Sequence, residues 1–179
     1  DAAANETQAL VLDTRAPKTF GQGFIPNSVN ISLAGGTFAV WVGTLVPDIK
    51  QMILLVTEHG QEEEAITRLA RVGYDNTIGY LKGGFETWKN AGKDVEQIKS
   101  VSAEEFAAAE AADPSINILD VRKQSEYNSE HIVNAANTPL DYINDSMAGI
   151  DKNKTYYVHC AGGYRSMIFS SILKARGYN

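Results

Sequence analysis

The 179-residue sequence has one cysteine, no long apolar run and no excess of basic residues. One cysteine cannot form a disulfide within the chain, which favours a reducing compartment, so we expect a cytoplasmic protein. No window approaches the roughly 18 apolar residues that a membrane helix requires. The formal net charge of -6 argues against a general nucleic-acid or anionic-membrane surface, because both select basic patches. We therefore expect neither nucleic acid nor membrane among its partners.

The first residues, DAAANETQALVLD, differ from a signal peptide. They contain no initiator methionine, no basic region and no long apolar segment. This start predicts that the sequence begins inside a longer protein.

An internal repeat organises the sequence. Shifting residues 12–33 by 107 positions places them without gaps on residues 119–140, and 7 of the 22 pairs are identical, among them Asp13 with Asp120 and Arg15 with Arg122. Further along, ILLV (53–56) parallels TYYV (155–158), and RLARVGY (68–74) parallels ILKARGY (172–178). The two copies run in the same order, which indicates two structural units of one kind.

Each copy alternates short apolar strands with helical segments. The strand candidates are ALVLD, SVNI, MILLV and NTIGYL in the first copy, and SINILD, NAANT and TYYVH in the second. This alternation predicts an α/β fold in which a parallel sheet is covered by helices on both faces. We expect two tandem domains, residues 1–95 and 100–179, with a capping box from Ser102 to Glu105 opening the second. The second copy has no counterpart of residues 76–92, so we expect either a domain truncated before its C-terminal strand and helix or a tail that lies outside the given sequence.

The cysteine lies in VHCAGGYRSM (158–167), between the predicted strand TYYVH and a helix predicted to open near Ser166. Gly162 and Gly163 permit a tight loop whose amide groups converge on an anion. The helix N-terminus and Arg165 add positive charge, and Ser166 is a candidate helix cap and thiolate donor. These features favour the thiolate, so Cys160 is predicted to be a nucleophile.

The spacing of the loop bears on its chemistry. Four residues, Ala161 to Tyr164, separate Cys160 from Arg165. Cysteine phosphatases have five residues in this interval, in a larger loop that surrounds three phosphoryl oxygens. The tighter loop favours a single sulfur atom on the cysteine. A phosphatase or an arsenate reductase is the alternative, which the spacing and the lack of a second cysteine disfavour.

With C-x4-R after a strand, LDVR (119–122) at an earlier strand end and EHIVNAAN (130–137) after it, the chain resembles the rhodanese family of sulfurtransferases. The resemblance covers nearly the whole chain as two tandem domains. It implies that Cys160 takes sulfur from a thiosulfate or persulfide donor as a persulfide and passes it to a thiol or other nucleophile, without a cofactor. It also implies roles in binding the persulfide and its donor for the loop residues Ala161, Gly162, Gly163, Tyr164, Arg165 and Ser166.

The first copy lacks this loop. Its counterpart, VTEHGQEEEA (56–65), contains neither cysteine nor arginine, so we expect the first domain to be catalytically silent. The acidic residues around His59 are interpreted as a solvated helix N-terminus that favours negative charge, and we predict no metal site there.

Four further residues are predicted to have structural roles. Asp13, Arg15, Asp120 and Arg122 recur in both copies, which favours a role in holding the fold through charge pairing at strand ends. Two histidines of the second copy are also expected to have no direct role. His131 replaces Phe24 of the first copy and is predicted to be a packed, hydrogen-bonded histidine, and His159 is predicted to point away from Cys160.

A narrower resemblance comes from FAVWVGTLVP (38–47) and RLARVGYDNTIGYLKGGFETW (68–88). Together with CAGGYRS, these segments resemble the paired rhodanese domains at the C-terminus of bacterial proteins whose N-terminal part is a metallo-β-lactamase-fold hydrolase or persulfide dioxygenase. The resemblance implies such a domain as a partner in the same chain, and it places any iron or zinc there. The alternative from another class is a non-catalytic rhodanese-like module for protein contacts.

Overall fold

The computed structural model describes residues 2–178 and divides the chain into two compact units, Asp1–Gln97 and Ile98–Asn179. Within the described residues, no helix is both long enough and apolar enough to cross a membrane. Each unit is built on its own parallel sheet with accompanying helices, as the sequence predicts.

The first unit has a four-stranded parallel sheet in the order β2-β1-β3-β4. Its core contains fully buried aromatic and aliphatic side chains, including Phe20, Phe24, Phe38 and Leu12. In chain order its elements are α1 (Ala2–Thr7), β1 (Leu10–Asp13), α2 (Pro17–Gln22), β2 (Val29–Asn30), α3 (Phe38–Leu45), β3 (Ile53–Val56), α4 (Glu62–Ala70), β4 (Thr77–Tyr80) and α5 (Gly84–Asn90).

The second unit has a three-stranded parallel sheet in the order β6-β5-β7, and residues 98–178 contain no counterpart of β4. Its elements are α6 (Ala103–Ala112), β5 (Asn117–Asp120), α7 (Gln124–Ser129), β6 (Ala136–Asn137), α8 (Ile143–Ser146) between two short 3-10 turns, β7 (Tyr156–His159) and α9 (Tyr164–Ala175). Both hydrogen bonds of the predicted capping box are present at the start of α6, where Ser102 and Glu105 bond each other's backbone N–H groups at 3.2 and 2.7 Å.

The sequence analysis missed several short helices, among them α1, α2 and α7. Each has only six residues, so it offers fewer than two helical turns in which an apolar periodicity can be recognised. One local signal was available for α2, because Pro17 lies in its first turn, where a missing N–H costs nothing.

The same charge pair follows β1 and β5. Arg15 donates from Nη2 to the Asp13 carboxylate at 2.6 Å, and Arg122 donates to Asp120 at 2.7 Å. In both copies the same nitrogen also donates to the backbone carbonyl eight residues further along the chain, at 2.9 and 2.7 Å. The two carboxylates are fully buried, so each needs these donors to offset its lost hydration.

An asparagine completes the arrangement in each copy. Asn30 donates from Nδ2 to two backbone carbonyls at 3.0 and 2.9 Å, and Asn137 donates to the two corresponding carbonyls at 3.0 Å each. Asn27 and Asn134 adopt the same left-handed backbone conformation, with φ of 65° and 66°. We call the aspartate, arginine and asparagine of each copy the frame, which comprises Asp13, Arg15 and Asn30 in the first unit and Asp120, Arg122 and Asn137 in the second.

The strands that lead to the two loops correspond in a register different from the predicted one. In the second sheet His159 pairs with Asp120, and in the first sheet Val56 pairs with the aspartate that corresponds to Asp120. His159 therefore corresponds to Val56, and the residue in the place of Cys160 is Thr57. The alignment of ILLV with TYYV is wrong by one residue, because neither segment has an alternation of polar and apolar residues that could fix its register.

Candidate active site

Cys160 follows β7 directly and lies three residues before the glycine that opens α9. That glycine, Gly163, occupies the N-cap position with φ of 83°, a left-handed conformation that glycine adopts without steric cost. The helix begins at Tyr164, two residues earlier than predicted, so Ser166 lies inside the first turn. The prediction that Ser166 caps the helix is wrong, and this position brings its backbone N–H towards the cysteine.

The Cys160 sulfur is surrounded by hydrogen-bonding groups of its own loop. The backbone N–H groups of Gly163 and Ser166 donate to Sγ at 3.2 and 3.4 Å, and the thiol lies 3.5 Å from the Ser166 hydroxyl. Burial by itself raises the pKa of the thiol. The hydrogen bonds from Ser166, Gly162 and Gly163 outweigh burial and lower the pKa of Cys160 below its ordinary value.

Arg165 is bound by a carboxylate that the sequence analysis did not single out. Its Nη1 lies 2.6 Å from Oε2 of Glu126 and its Nη2 lies 2.9 Å from Oε1, which is a bidentate pair. The predicted role of Arg165 was to anchor an anionic donor, whereas here both terminal nitrogens are engaged by Glu126. Glu126 also accepts from the backbone N–H of Lys123 at 3.1 Å in the first turn of α7.

The hydrogen bonds from Arg165 lower the pKa of Glu126 from 4.5 to about 2, which exceeds the opposing effect of burial. The same pair raises the pKa of Arg165. Both groups are therefore fully charged at neutral pH, and their charges cancel beside the cysteine loop.

A cleft of about 250 Å³ opens next to the cysteine. The side chains that line it come from three segments of the second unit and are Arg122, Glu130, His131, Ile132, His159 and Cys160. His159 and Cys160 both line this cleft. Cys160 lies beyond the end of the strand, where the alternation of strand side chains no longer applies.

The buried carboxylate of Asp120 contacts two residues that line this cleft, Arg122 and His159. Burial raises the pKa of Asp120, but the hydrogen bonds from Arg122 outweigh it and the net pKa is lowered. His159 Nε2 lies 3.6 Å from Oδ2 of Asp120 without a hydrogen bond. Burial lowers the pKa of His159 more than the nearby carboxylate raises it, so the imidazole is neutral at pH 7.

His131 is held on two sides by one residue of α7. Its Nδ1 lies 2.8 Å from the carbonyl oxygen of Tyr127, and its ring stacks on the Tyr127 ring at 3.9 Å. The first unit has the same arrangement with Phe20 and Phe24, whose rings stack at 4.3 Å. The expected hydrogen bond of His131 is present, but its side chain is exposed, whereas Phe24 is fully buried.

The family model for the rhodanese-like domain matches residues 1–91 and 102–179. The chain belongs to the rhodanese-like domain family. The two matches coincide with the two copies of the repeat, and the prediction of tandem rhodanese-like domains is confirmed.

Curated relatives are similar to parts of the chain. YrkF of Bacillus subtilis, which is named as a sulfur carrier protein, is 32% identical over 97 residues, 54% of this chain and 50% of YrkF. The tRNA sulfurtransferase of Thermoplasma acidophilum is 40% identical over 60 residues, 34% of this chain and 12% of that protein. The thiosulfate sulfurtransferase PspE of Escherichia coli is 37% identical over 62 residues, 34% of this chain and 60% of PspE. This chain thus spans half or less of the first two.

Solved structures are similar at lower identity. The thiosulfate sulfurtransferase from Pseudomonas aeruginosa has a TM-score of 0.46 and 24% identity, over 94% of this chain and 36% of that one. SseA from Escherichia coli, a 3-mercaptopyruvate sulfurtransferase by its description, has a TM-score of 0.42 and 16% identity, over 96% of this chain and 90% of that one.

The first rhodanese-like unit places different residues at the corresponding positions. Thr57 occupies the place of the cysteine and is buried. Phe85 of α5 packs against Ile25 and Val56, and the Arg15 guanidinium lies 4.3 Å from the centre of its ring. An aromatic side chain thus covers the frame arginine of the first unit.

Among residues 2–178, no group of three or more histidine, cysteine, aspartate or glutamate side chains is placed to hold a metal ion. The acidic residues of the first unit lie where the sequence analysis placed them, with three glutamates in the first turn of α4, namely Glu62, Glu63 and Glu64.

Proposed function

We propose that the second unit is a sulfurtransferase that carries sulfur on Cys160 as a persulfide. The observation that carries this proposal is the environment of Sγ, where two backbone N–H groups and the Ser166 hydroxyl lower the pKa of the thiol. A thiolate is the nucleophilic form of cysteine, and the same N–H groups are placed to stabilise it when it is the leaving group. The sulfurtransferase and sulfur-carrier names of the relatives support the same chemistry.

The reaction has two displacement steps. The Cys160 thiolate attacks the outer sulfur of a sulfane donor, such as thiosulfate or a persulfide, and the donor leaves with the electron pair of the broken bond as sulfite or a thiolate. An acceptor thiolate then attacks the outer sulfur of the Cys160 persulfide, and Cys160 departs as a thiolate. Sulfur moves without a change in the total number of electrons, so the chemistry needs no metal or organic cofactor.

For the first unit we propose a structural role without catalysis. Thr57 stands where the nucleophile stands in the second unit, and residues 57–67 contain no arginine. These features support a unit that keeps the fold without the reaction.

The test is the intact mass of the protein after incubation with thiosulfate and, separately, with glutathione persulfide. We expect the wild-type chain to gain one sulfur atom and the Cys160→Ser variant to gain none. A Thr57→Ser variant serves as the control in the first unit and should gain sulfur like the wild type. A parallel assay with p-nitrophenyl phosphate should show no phosphate release.

The alternatives give different results in the same experiment. A cysteine phosphatase would release phosphate in a Cys160-dependent way and gain no sulfur. A non-catalytic interaction module would show neither reaction, even though alkylation with iodoacetamide proves that the thiol is accessible. Either result would contradict the proposed sulfur transfer.

We also propose that the protein handles sulfide or persulfides in the cytoplasm beside a metallo-β-lactamase-fold domain of the same polypeptide, where iron or zinc would reside. The segments FAVWVGTLVP and CAGGYRS, which resemble such fusion proteins, support this proposal. Determining the mass and metal content of the native polypeptide from its source would test it. A native polypeptide without that domain would contradict it.

A further inference from the structure

Each of the two arginines at the candidate active site is bound by its own carboxylate. Arg122 lies 2.7 Å from Asp120, and Arg165 lies 2.6 Å from Glu126. A further acid, Glu130, lines the cleft. The two arginines and three carboxylates together give the site two positive and three negative charges, so its cations are already neutralised.

His159 does not add a positive charge to this balance at neutral pH. Burial lowers the pKa of His159, which keeps it neutral, and Nδ1 of His131 is engaged by a backbone carbonyl. Two backbone N–H groups of the loop also point at the Cys160 sulfur. These are occupied by the sulfur itself, because Gly163 and Ser166 both donate to Sγ.

The pair between Glu126 and Arg165 accompanies the cysteine and is not needed for the frame. In the first unit the position that corresponds to Glu126 is Thr19, and residues 57–67 contain no arginine. The frame of that unit nevertheless forms with hydrogen-bond lengths that match those of the second unit within 0.2 Å. A pair that served only to hold this fold would be expected in both units.

We propose that Glu126 determines the choice of sulfur donor by withholding Arg165 from it. This inference rests on the proposed sulfur transfer through Cys160. With Arg165 neutralised, the site disfavours thiosulfate, a dianion that must approach a thiolate, and it favours an organic persulfide that reacts in its protonated, uncharged form. Charge arrangement of this kind selects a partner by repelling its competitor.

The charging step is balanced for the favoured donor. The Cys160 thiolate attacks the outer sulfur of R–S–SH and a new S–S bond forms. The S–S bond between the inner and the outer sulfur of the donor breaks, and R–S⁻ leaves with its electron pair. One negative charge passes from enzyme to product, and no oxidant or reductant takes part. With thiosulfate the same displacement brings three negative charges together, which without a free cation is opposed by repulsion.

The test compares the rate of sulfur gain by Cys160, followed by intact mass, from thiosulfate and from 2-hydroxyethyl persulfide. Three proteins are compared: wild type, Glu126→Gln, which frees the Arg165 charge, and Glu126→Asp, which keeps the negative charge. We expect Glu126→Gln to raise the rate with thiosulfate about tenfold and to leave the rate with the uncharged persulfide within about twofold. Glu126→Asp should keep the donor preference of the wild type.

Salt provides a second readout that a purely structural role would not move. The increase in the rate of sulfur gain from thiosulfate that Glu126→Gln produces should become smaller as ionic strength rises. The increase depends on attraction between the freed Arg165 cation and the thiosulfate anion, which salt screens. An unchanged ratio of the two donor rates in Glu126→Gln, or an equal loss with both donors, would overturn the proposal. If neither donor adds sulfur to the wild-type protein, the underlying sulfurtransferase function fails, and this result is distinct from an unchanged donor ratio.

Discussion

The frame asparagines allow one chemical change to be made at two matched places. Asn30 and Asn137 each donate two hydrogen bonds from Nδ2 to backbone carbonyls at 2.9 to 3.0 Å. Asn30 is fully buried, whereas Asn137 is partly accessible to solvent. Replacing each by alanine removes the same donors but leaves the carbonyls in different surroundings.

The expected loss of unfolding free energy follows from the hydrogen-bond donors that each carbonyl retains. The carbonyl of Asp13 keeps a second donor, the N–H of Ile31 at 3.0 Å, whereas the carbonyl of Arg15 loses Asn30 as its donor. Leaving a buried acceptor unsatisfied costs roughly 1–3 kcal/mol, and the lost side-chain packing adds to this. We expect Asn30→Ala to lower the free energy of unfolding of the first unit by about 3 kcal/mol. Asn137→Ala should cost the second unit about 1.5 kcal/mol, because Asn137 and Arg122, whose carbonyl loses its donor, are partly accessible to water.

The assay must follow the units separately. Both tryptophans, Trp41 and Trp88, belong to the first unit, so tryptophan fluorescence during urea unfolding reports on that unit. Hydrogen exchange of the β5 amides reports on the second. A loss below about 1 kcal/mol for Asn30→Ala, or an Asn137→Ala loss that equals or exceeds it, would refute the reasoning from burial.

Three further changes test the electrostatics of the second unit. Glu126→Gln should lower its unfolding free energy at pH 7 by about 1 kcal/mol, a value discounted because the carboxylate is about one-third exposed. Since the pKa of Glu126 is lowered from 4.5 to about 2, the additional unfolding free energy of the wild type over Glu126→Gln should disappear as pH falls across that interval. Hydrogen exchange of the β5 amides measures this difference. Ser166→Ala should raise the pKa of Cys160 and slow its alkylation by iodoacetamide roughly threefold at pH 7 relative to the wild type. At pH 10 the variant and the wild type should react at equal rates, whereas equal rates at pH 7 would contradict this prediction. Burial lowers the pKa of His159, so the wild type should lose stability as pH falls below about 6.5, and His159→Gln should show a smaller loss in thermal unfolding between pH 7.5 and 5.5.

The repeat in the sequence predicted the two parallel sheets because it preserves residues with many partners. The aspartate, arginine and asparagine of the frame are among the seven identical pairs, and each makes the same hydrogen bonds in both units. A fixed spacing of polar residues that bond one another is a strong constraint, so it can be recognised without a structure.

The apolar strands carried less information. ILLV and TYYV have no alternation between polar and apolar residues, and the comparison placed them one residue out of register. Only backbone pairing with the neighbouring strand shows that Thr57, and not Glu58, corresponds to Cys160. In this register the first copy is one residue shorter than the second between this position and the glycine that follows the helix, Gly73 or Gly177.

The partner of Arg165 was beyond the reach of local sequence reasoning. Glu126 lies 39 residues earlier in the chain, and no motif connects the two. A faint signal existed in the repeat, because Glu126 replaces Thr19 and Arg165 is likewise confined to the second copy. Two opposite charges that occur together in one copy and are both missing from the other are candidates for a pair.

The lengths of these connections also bear on the order of folding. The hydrogen bonds of the frame join residues at most 17 positions apart, whereas the contact that fixes the cysteine loop to α7 spans 39 positions. Short loops lose less entropy on closing. We therefore expect the hydrogen bonds of each frame to form before the strand and helix that flank the cysteine loop, or its counterpart in the first unit, pack against the sheet. In the second unit the pair between Glu126 and Arg165 would then form last, and in a nascent chain the charge of Arg165 would not be neutralised by Glu126 until the fold is complete.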